Sequence, residues 1–395
     1  MSDLPVVLLG GDVNVVSAAR SAASRGRDVH VLPERPGLVP AAASRHVTTV
    51  LRLADGEPPE AAWERRLAAL PPSVVVPCGD RGVALVARSR AALEALGHRP
   101  AEGDDALWLA ALDKQRTYAL ADAAGVRRPR TVPVTTVAEA VEAGDALGWP
   151  CGAKPRTPSE FARLGLAGKG WVLPGPDAVR TLLGPALDAG AELLLTEVVP
   201  GPDDAYCSYY GYVDGAGREL LHVTKRKLRQ HPVHFGSGTY HRTADVPEAR
   251  EAGRRFVVGS GLRGLANVEF KRDARDGALV LIECNVRLTA AVELFRRVGV
   301  DLPELVYQGA LGRAAPLPPA RDAVVHQWLP LQDLRALAQY RAAGELGVRE
   351  WARSLRGRQT LPMLRLTDPG PSALHAAQVA RRALGRAGRR PRTAA

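Results

Sequence analysis

Cysteine is scarce in this sequence: Cys78, Cys151, Cys207 and Cys284 stand far apart, and no two form a CxxC pair. Such spacing argues against a disulfide framework or a zinc site and makes reduced thiols in a cytoplasmic setting the expectation. Long hydrophobic runs are missing as well. The longest apolar stretches, such as Ser73–Pro77 and Leu193–Thr196, are strand-length, whereas a membrane span needs about 20 residues. The first residues, Met-Ser-Asp-Leu-Pro, lack a basic leader and a long apolar segment, so no secretion signal is read there. A Rossmann dinucleotide site is disfavoured too, because Gly10-Gly11 is not followed by the rest of the GxGxxG spacing and reads as a tight turn.

Acidic residues stop at Asp368. Beyond it Arg381, Arg382, Arg386, Arg389, Arg390 and Arg392 supply six of the eleven net positive charges. A terminal run of this kind reads as a solvated end, and no aromatic residue is interleaved to stack on bases. Neither a nucleic-acid partner nor a membrane partner is therefore expected.

What remains is ordinary for a globular enzyme. The 395 residues are 46% hydrophobic and 24% charged, enough for two or three packed lobes. The start alternates strand and helix signals: Pro5–Leu9, Gly10-Gly11, a helix over Val15–Ser24, then strands at Asp28–Leu32 and Ser73–Pro77 before Cys78-Gly79-Asp80. That is the pattern of an open parallel sheet, whose ligands lie beyond the carboxyl ends of strands. One helix is expected from Asp104 to Asp122 and another over Val137–Leu147. Short strands and loops follow from Cys151 to Leu195. Strands are expected at Leu193–Val199, Ala205–Val213, Glu219–Thr224, Gly264–Lys271 and Ala278–Asn285, the last two joined by an Asp276-Gly277 turn. From about Pro316 the chain reads as mainly helical.

Two carboxylates and an amide carry the chemistry. Glu283 and Asn285 lie two apart in a strand and so share a face, and the hairpin sets Glu269 beside them. An all-oxygen set of this kind suits magnesium bridging phosphates, and burying two carboxylates without a cation is costly. Upstream, Lys114 starts a helix, Lys154 ends a strand, and Lys227 lies in the cluster Lys225-Arg226-Lys227-Leu228-Arg229. A triphosphate needs point charges from several elements. Between them Leu193-Leu-Leu-Thr-Glu-Val-Val-Pro-Gly-Pro-Asp-Asp204 offers backbone groups around Val198 and Val199 for an adenine edge, with an acid beyond for ribose.

The series Leu112-Asp-Lys114, Gly148-Trp-Pro-Cys-Gly-Ala-Lys154-Pro, Thr196-Glu-Val-Val-Pro-Gly-Pro-Asp203, Asn267-Val-Glu269-Phe and Glu283-Cys-Asn285-Val-Arg287 resembles the ATP-grasp superfamily in order and spacing, from about Val6 to Leu311. Lys227-Leu-Arg-Gln-His-Pro and Asp368-Pro-Gly-Pro look like its D-aspartate-ligase-like, carbamoyl-phosphate-synthase-like branch. The resemblance implies an α/β (α+β) ATP-grasp fold: a pre-ATP-grasp domain over 1–105, an N-terminal ATP-grasp part with the lid over 106–195, and a C-terminal subdomain with the metal site over 196–320. A helical extension over 321–375 and a basic tail over 376–395 complete the expected division.

It also implies roles. Lys114 and Lys154 would hold nucleotide phosphates; Glu197, Val198 and Val199 would line the adenine hinge; Asp203 or Asp204 would take the ribose. Lys227 would approach the γ-phosphate, and Glu269, Glu283 and Asn285 would hold Mg2+, or Mn2+ in its place. Arg287 would offset charge on an acyl phosphate or tetrahedral intermediate. The glycine-bearing segment Arg156–Gly170 resembles a flap that excludes water. The implied activity is ADP-forming ligation of a small-molecule carboxylate to an amine, on an amino acid or small peptide, with a homodimer common among such proteins. No cysteine nucleophile is required. Substrate contacts are expected around Gly236-Ser-Gly238, where a flexible polar loop gathers His231, His234, Ser237, Tyr240, His241 and Arg242, with Arg20 a further candidate. The alternatives are an ATP-dependent carboxylating or carbamoyl-phosphate-forming enzyme, and a non-catalytic basic nucleic-acid-binding protein with a degenerate nucleotide site.

Overall fold

The computed structural model describes residues 3–156 and 170–387, with side chains described through Arg381. Residues 157–169 of the expected flap and the end of the arginine tail lie outside this range. Two compact units divide the chain: Met1–Ala101 together with Arg287–Ala395, and Glu102–Val286.

The first unit is built on a five-stranded sheet in the order β3-β2-β1-β4-β5, comprising β1 (Val6–Leu9), β2 (Val29–Leu32), β3 (Thr49–Val50), β4 (Val74–Pro77) and β5 (Arg99–Pro100). Every pairing in it is parallel. The continuous apolar run of β1 is buried along its whole length, as expected for a strand covered on both faces. Helices α1 (Val13–Ala23), α2 (Pro59–Ala68) and α3 (Asp80–Ala95) make the crossovers. Gly10 leaves β1 at φ +143°, a backbone conformation that a side chain would strain.

The C-terminal residues join this unit. They include helices Leu302–Ala310, Pro330–Ala342 and Gly370–Ala387 and a short parallel pair, β15 (His326–Trp328) on β16 (Gln359–Thr360). Residues from Arg287 onward thus belong to the same compact unit as the N-terminal sheet, where the sequence suggests a separate helical extension from 321. The long-range tie is a buried one. Arg20 of α1 donates from Nε to Asp368 at 2.8 Å and from its terminal nitrogens to the carbonyls of Pro362, Met363 and Asp368. Asp368 also accepts from Ser44 and from the Arg45 backbone N–H.

The second unit holds two sheets. One runs β6-β9-β7-β8, with β6 (Thr131–Val134), β7 (Cys151–Pro155), β8 (Trp171–Leu173) and β9 (Leu193–Glu197), all antiparallel. Its core joins Val134, Cys151, Leu193 and Leu195 to Ala140 and Leu147 of α6 (Val137–Leu147). A capping box between Thr136 and Glu139 starts α6. The other sheet is antiparallel through β14-β13-β10-β11-β12, with β10 (Tyr206–Val213), β11 (Glu219–His231), β12 (Ser237–Thr243), β13 (Gly264–Arg272) and β14 (Leu279–Asn285). The helix Pro247–Gly259 packs on one side of it. Gly253 lies so close to Tyr209 that a Cβ would fall 2.3 Å from the ring.

Three local expectations change. The helix expected over Asp104–Asp122 is two, α4 (Asp105–Leu112) and α5 (Lys114–Ala123), because Asp113 is extended and its carboxylate caps the second. β11 continues past Thr224 to His231, through the whole cationic cluster. The polar segment around Gly238, expected as a flexible loop, is the paired strand β12. A segment rich in charge and glycine gives weak strand signals by itself, and here cross-strand hydrogen bonding decides. Among the described residues no helix is long and apolar enough to cross a membrane.

Candidate active site

Side chains two apart on a strand share a face. On the five-stranded antiparallel sheet, Cys207 and Tyr209 of β10 alternate with Tyr206, Ser208 and Tyr210, so the two sets face opposite ways. Tyr209 meets the helix; the Tyr206–Ser208 face is the polar one. Register then fixes its other members. Ser208 lies opposite Glu269 on one side and Lys225 on the other, and Tyr206 lies between Lys271 and Lys227. Glu269 opposes Glu283, Asn267 opposes Asn285, and Lys227 opposes His241.

The proposed metal residues therefore converge. Glu269 and Glu283 are directly paired, and Asn285 Nδ2 donates to Glu283 Oε1 at 3.0 Å. A bulge between Glu269 and Phe270 sets the local register, leaving Glu283 exposed beside buried Cys284. Lys227, only 3% exposed, donates from Nζ to Glu269 Oε1 at 2.9 Å and stands 3.7 Å from the centre of the Tyr206 ring. Among the described residues no three His, Cys, Asp or Glu side chains gather so as to hold a metal ion. Two carboxylates with an amide oxygen suit a cation that keeps positions open for phosphate oxygens, as magnesium does.

Ser208, Lys225 and Lys271 were not singled out as site residues from the sequence, whereas His241 was among the substrate candidates. Ser208 is 1% exposed, and its Oγ has no hydrogen-bond partner among the described residues. Lys225 is 3% exposed and reaches His241 Nδ1 at 3.2 Å. Burial pushes its pKa down to about 8, with Lys227 adding to the effect and Glu269 opposing it. Burial, followed by Lys225 and Lys227, holds His241 well below the ordinary histidine value. Lys271 donates to the Val199 carbonyl at 2.9 Å. The signal for Lys225 and Lys271 was present, as each lies two residues from a named site residue, but ending β11 at Thr224 concealed the first.

On the other sheet, Lys154 lies on β7 and Lys114 opens α5. The Lys114 backbone N–H donates to Arg156 O at 3.3 Å, bringing the start of α5 to the end of β7. Asp113 holds this junction. Its carboxylate accepts from the N–H groups of Gln115 at 2.9 Å and Arg116 at 3.2 Å and from Arg156 Nε at 2.8 Å. In the hinge segment, the Glu197 carboxylate is occupied by Arg130 and Arg275. Asp203 is buried and accepts from Gln230 at 2.7 Å and from the His234 N–H at 2.9 Å, whereas Asp204 is exposed.

The substrate candidates scatter. His234 has a left-handed backbone and is tied to Asp203. Ser237 is exposed at the start of β12. Tyr240 is fully buried beneath the Arg229 guanidinium at 4.2 Å, and Arg242 lies across from Arg226 with its Nε unpartnered among the described residues. Arg20 requires a correction. It is 1% exposed and its donors go to Asp368 and neighbouring carbonyls, so it locks the first unit together and does not serve a substrate. Arg287, also in the first unit, donates from Nε to Asp80 at 2.6 Å. Burial pushes the Cys207 thiol up to about 11 and that of Cys284 to about 12, away from nucleophilic use.

The parallel sheet of one unit and the two antiparallel sheets of the other match the ATP-grasp fold. No protein-family model matches the chain, and no curated protein is similar to it in sequence. Solved structures are. N5-carboxyaminoimidazole ribonucleotide synthetase in its ADP complex superposes with a TM-score of 0.63 at 15% identity, over 82% of this chain and 80% of that one. The Thermus thermophilus form of that synthetase gives 0.61 at 16% identity, over 80% of each chain. The biotin carboxylase domain dimer of Hydrogenobacter thermophilus 2-oxoglutarate carboxylase, with MgADP, ADP and bicarbonate, gives 0.62 at 16% identity, over 82% and 72%. Similarity at these identities establishes the fold.

Proposed function

We propose that the chain is an ATP-dependent, magnesium-requiring ligase that activates a carboxylate as an acyl phosphate and passes it to an amine. The observation that carries this reading is the single sheet face on which Glu269 opposes Glu283, Asn285 bonds to Glu283, and Lys227 bonds to Glu269. Glu269, Glu283 and Asn285 would hold Mg2+, with Mn2+ able to substitute. The ion would neutralise phosphate charge.

The remaining roles are proposed as the resemblance implies them. Lys114 and Lys154, at the α5–β7 junction, would hold the nucleotide phosphates. The backbone of Val198 and Val199 would meet adenine, and exposed Asp204 is better placed for ribose than buried Asp203. An oxygen of the substrate carboxylate attacks the γ-phosphorus, and the bond to the bridging oxygen breaks to release ADP. The amine nitrogen then attacks the acyl carbon, loses a proton, and inorganic phosphate departs. Arg287, two residues beyond Asn285, would offset charge in that second step. An amino acid or small peptide is the proposed substrate class, in keeping with the D-aspartate-ligase-like branch.

A second reading makes bicarbonate the acid. The fold neighbours that include carboxylases, one of them bound to bicarbonate, favour keeping it. Both readings share the first step. The deciding experiment screens pooled carboxylates, bicarbonate among them, against pooled amines for ADP release, with mass spectrometry of the product and Glu283→Gln as the inactive control. ADP release needing both an organic acid and an amine supports the ligase; incorporation of labelled bicarbonate supports the alternative. Failure of calorimetry to detect Mg-nucleotide binding removes both. Steeply salt-dependent DNA binding that survives loss of the arginine tail would point to a nucleic-acid-binding protein.

A further inference from the structure

The polar sheet face holds more buried positive charge than its carboxylates balance. Lys227 has Glu269 as a counter-ion. Lys225, equally buried, makes no ion pair among the described residues; its ammonium donates to His241 Nδ1. His241 brings no charge in return. Its ring bonds to the Gly238 backbone and lies so near that a Cβ at Gly238 would sit 2.1 Å from Cε1. With one ring nitrogen used on that backbone, the other accepts from Lys225, as a neutral imidazole can. Beside this ammonium, opposite it in register on β10, stands Ser208 with its buried hydroxyl unpartnered among the described residues. An uncompensated buried ammonium and an unsatisfied hydroxyl are both costly, and an oxyanion placed between them relieves both costs.

Position says which anion. Across the sheet the order is Glu283, Glu269, Ser208, Lys225. Adjacent strands lie about 4.8 Å apart, so Ser208 stands one strand from the proposed metal carboxylates and Lys225 one strand further. A cation-bridged phosphoryl group reaches across that interval.

We propose that Ser208 and Lys225 form the seat of the nucleotide's terminal phosphoryl group, giving it a hydroxyl and an ammonium donor on the side away from the metal carboxylates. The seat rests on the ligase reading and extends it. With the nucleotide's other phosphates held by Lys114 and Lys154 under the ligase reading, the seat discriminates triphosphate from diphosphate. The low pKa of Lys225, near 8, is the cost of holding the ammonium ready before the anion arrives.

Calorimetry on the full chain tests this with Mg·ADP and the non-hydrolysable Mg·AMPPNP. Lys225→Met is expected to weaken AMPPNP binding by about 10–100-fold, and Ser208→Ala by about 3–10-fold, while ADP affinity changes by less than about threefold in each, as for loss of hydrogen bonds to a charged group. Ser208→Ala removes an atom bonded to nothing described, and Lys225→Met removes an unpaired buried charge, so both variants should melt at or above the wild-type temperature. Equal losses for both nucleotides, or no loss for either, in these folded variants overturns the seat. Wild-type protein that binds neither nucleotide overturns the ligase reading and the seat with it. Wild-type protein that binds both, with no discrimination lost in the variants, overturns the seat alone.

Discussion

Lys227 and Glu269, 42 residues apart in the chain, meet on the sheet at 2.9 Å with side chains 4% and 16% exposed. Each neutralises the other without a ligand. Under the ligase reading the pair exchanges partners when Mg-nucleotide binds: the carboxylate turns to the cation and the ammonium to the phosphate. Two groups that are costly to bury alone are thereby kept in place between turnovers.

Glu269→Gln and Glu283→Gln are expected to lower metal affinity and ADP formation by at least about 10–100-fold, the loss usual when a metal site is disturbed. Magnesium titration of ADP release measures it. Glu283 is exposed, so Glu283→Gln should leave the melting temperature nearly unchanged, and a melting change in step with the activity loss would indicate a structural role instead.

Asp113→Ala should cost about 1 kcal/mol through the lost cap of α5 and raise the nucleotide KM, because the same carboxylate fixes the junction bearing Lys114. Urea unfolding and steady-state kinetics together check this; Asp113→Asn, which keeps a cap, should recover most of the stability.

Removing one side of the Arg20–Asp368 pair, as in Arg20→Met, should destabilise by about 3–5 kcal/mol, since a buried charge is left alone. Burial raises the Asp368 pKa, but hydrogen bonds from the Arg45 N–H, Ser44 and Arg20 outweigh it and hold the carboxyl below its ordinary value. With the folded pKa depressed, its stabilisation is present above about pH 4, the unfolded aspartate value, and is lost as pH falls through the folded one. Acid titration of wild type against Asp368→Asn, followed by circular dichroism, should show this component vanish in the variant.

The lowered pKa of Lys225 has the opposite consequence. Between about 8 and the ordinary lysine value of about 10.4, the unfolded chain holds a proton that the folded chain has released, so stability rises with pH through that window. The groups acting on Lys225 besides burial are Glu269, Lys227, Cys207 and Glu283. Denaturant unfolding at pH 7.5 and pH 10 should show a rise in wild type that is absent in Lys225→Met.

Much of the fold was legible because its signals are local. The apolar runs of β1 and β4, the glycine turn after β1 and the Asp276-Gly277 hairpin each depend on neighbouring residues. The proximity of Glu283 and Asn285 follows from strand periodicity alone, and that of Glu269 from the hairpin. Ser208 and Lys225 were not legible as a pair. Nothing nearby in sequence marks a serine whose hydroxyl lacks a partner, and the strand continuing through Lys225-Arg226-Lys227 is held by pairing to β10 and β12.

Composition, periodicity and turn chemistry thus determined the open parallel sheet, the strand types and the acidic hairpin, since these depend on interactions within a few residues. Which charges face one another, that Arg20 is spent on Asp368, and that Lys225 is buried without a carboxylate were decided only by tertiary packing. Strand register and burial bring together residues far apart in the chain, and those distances set both the desolvation cost and the identity of the partner.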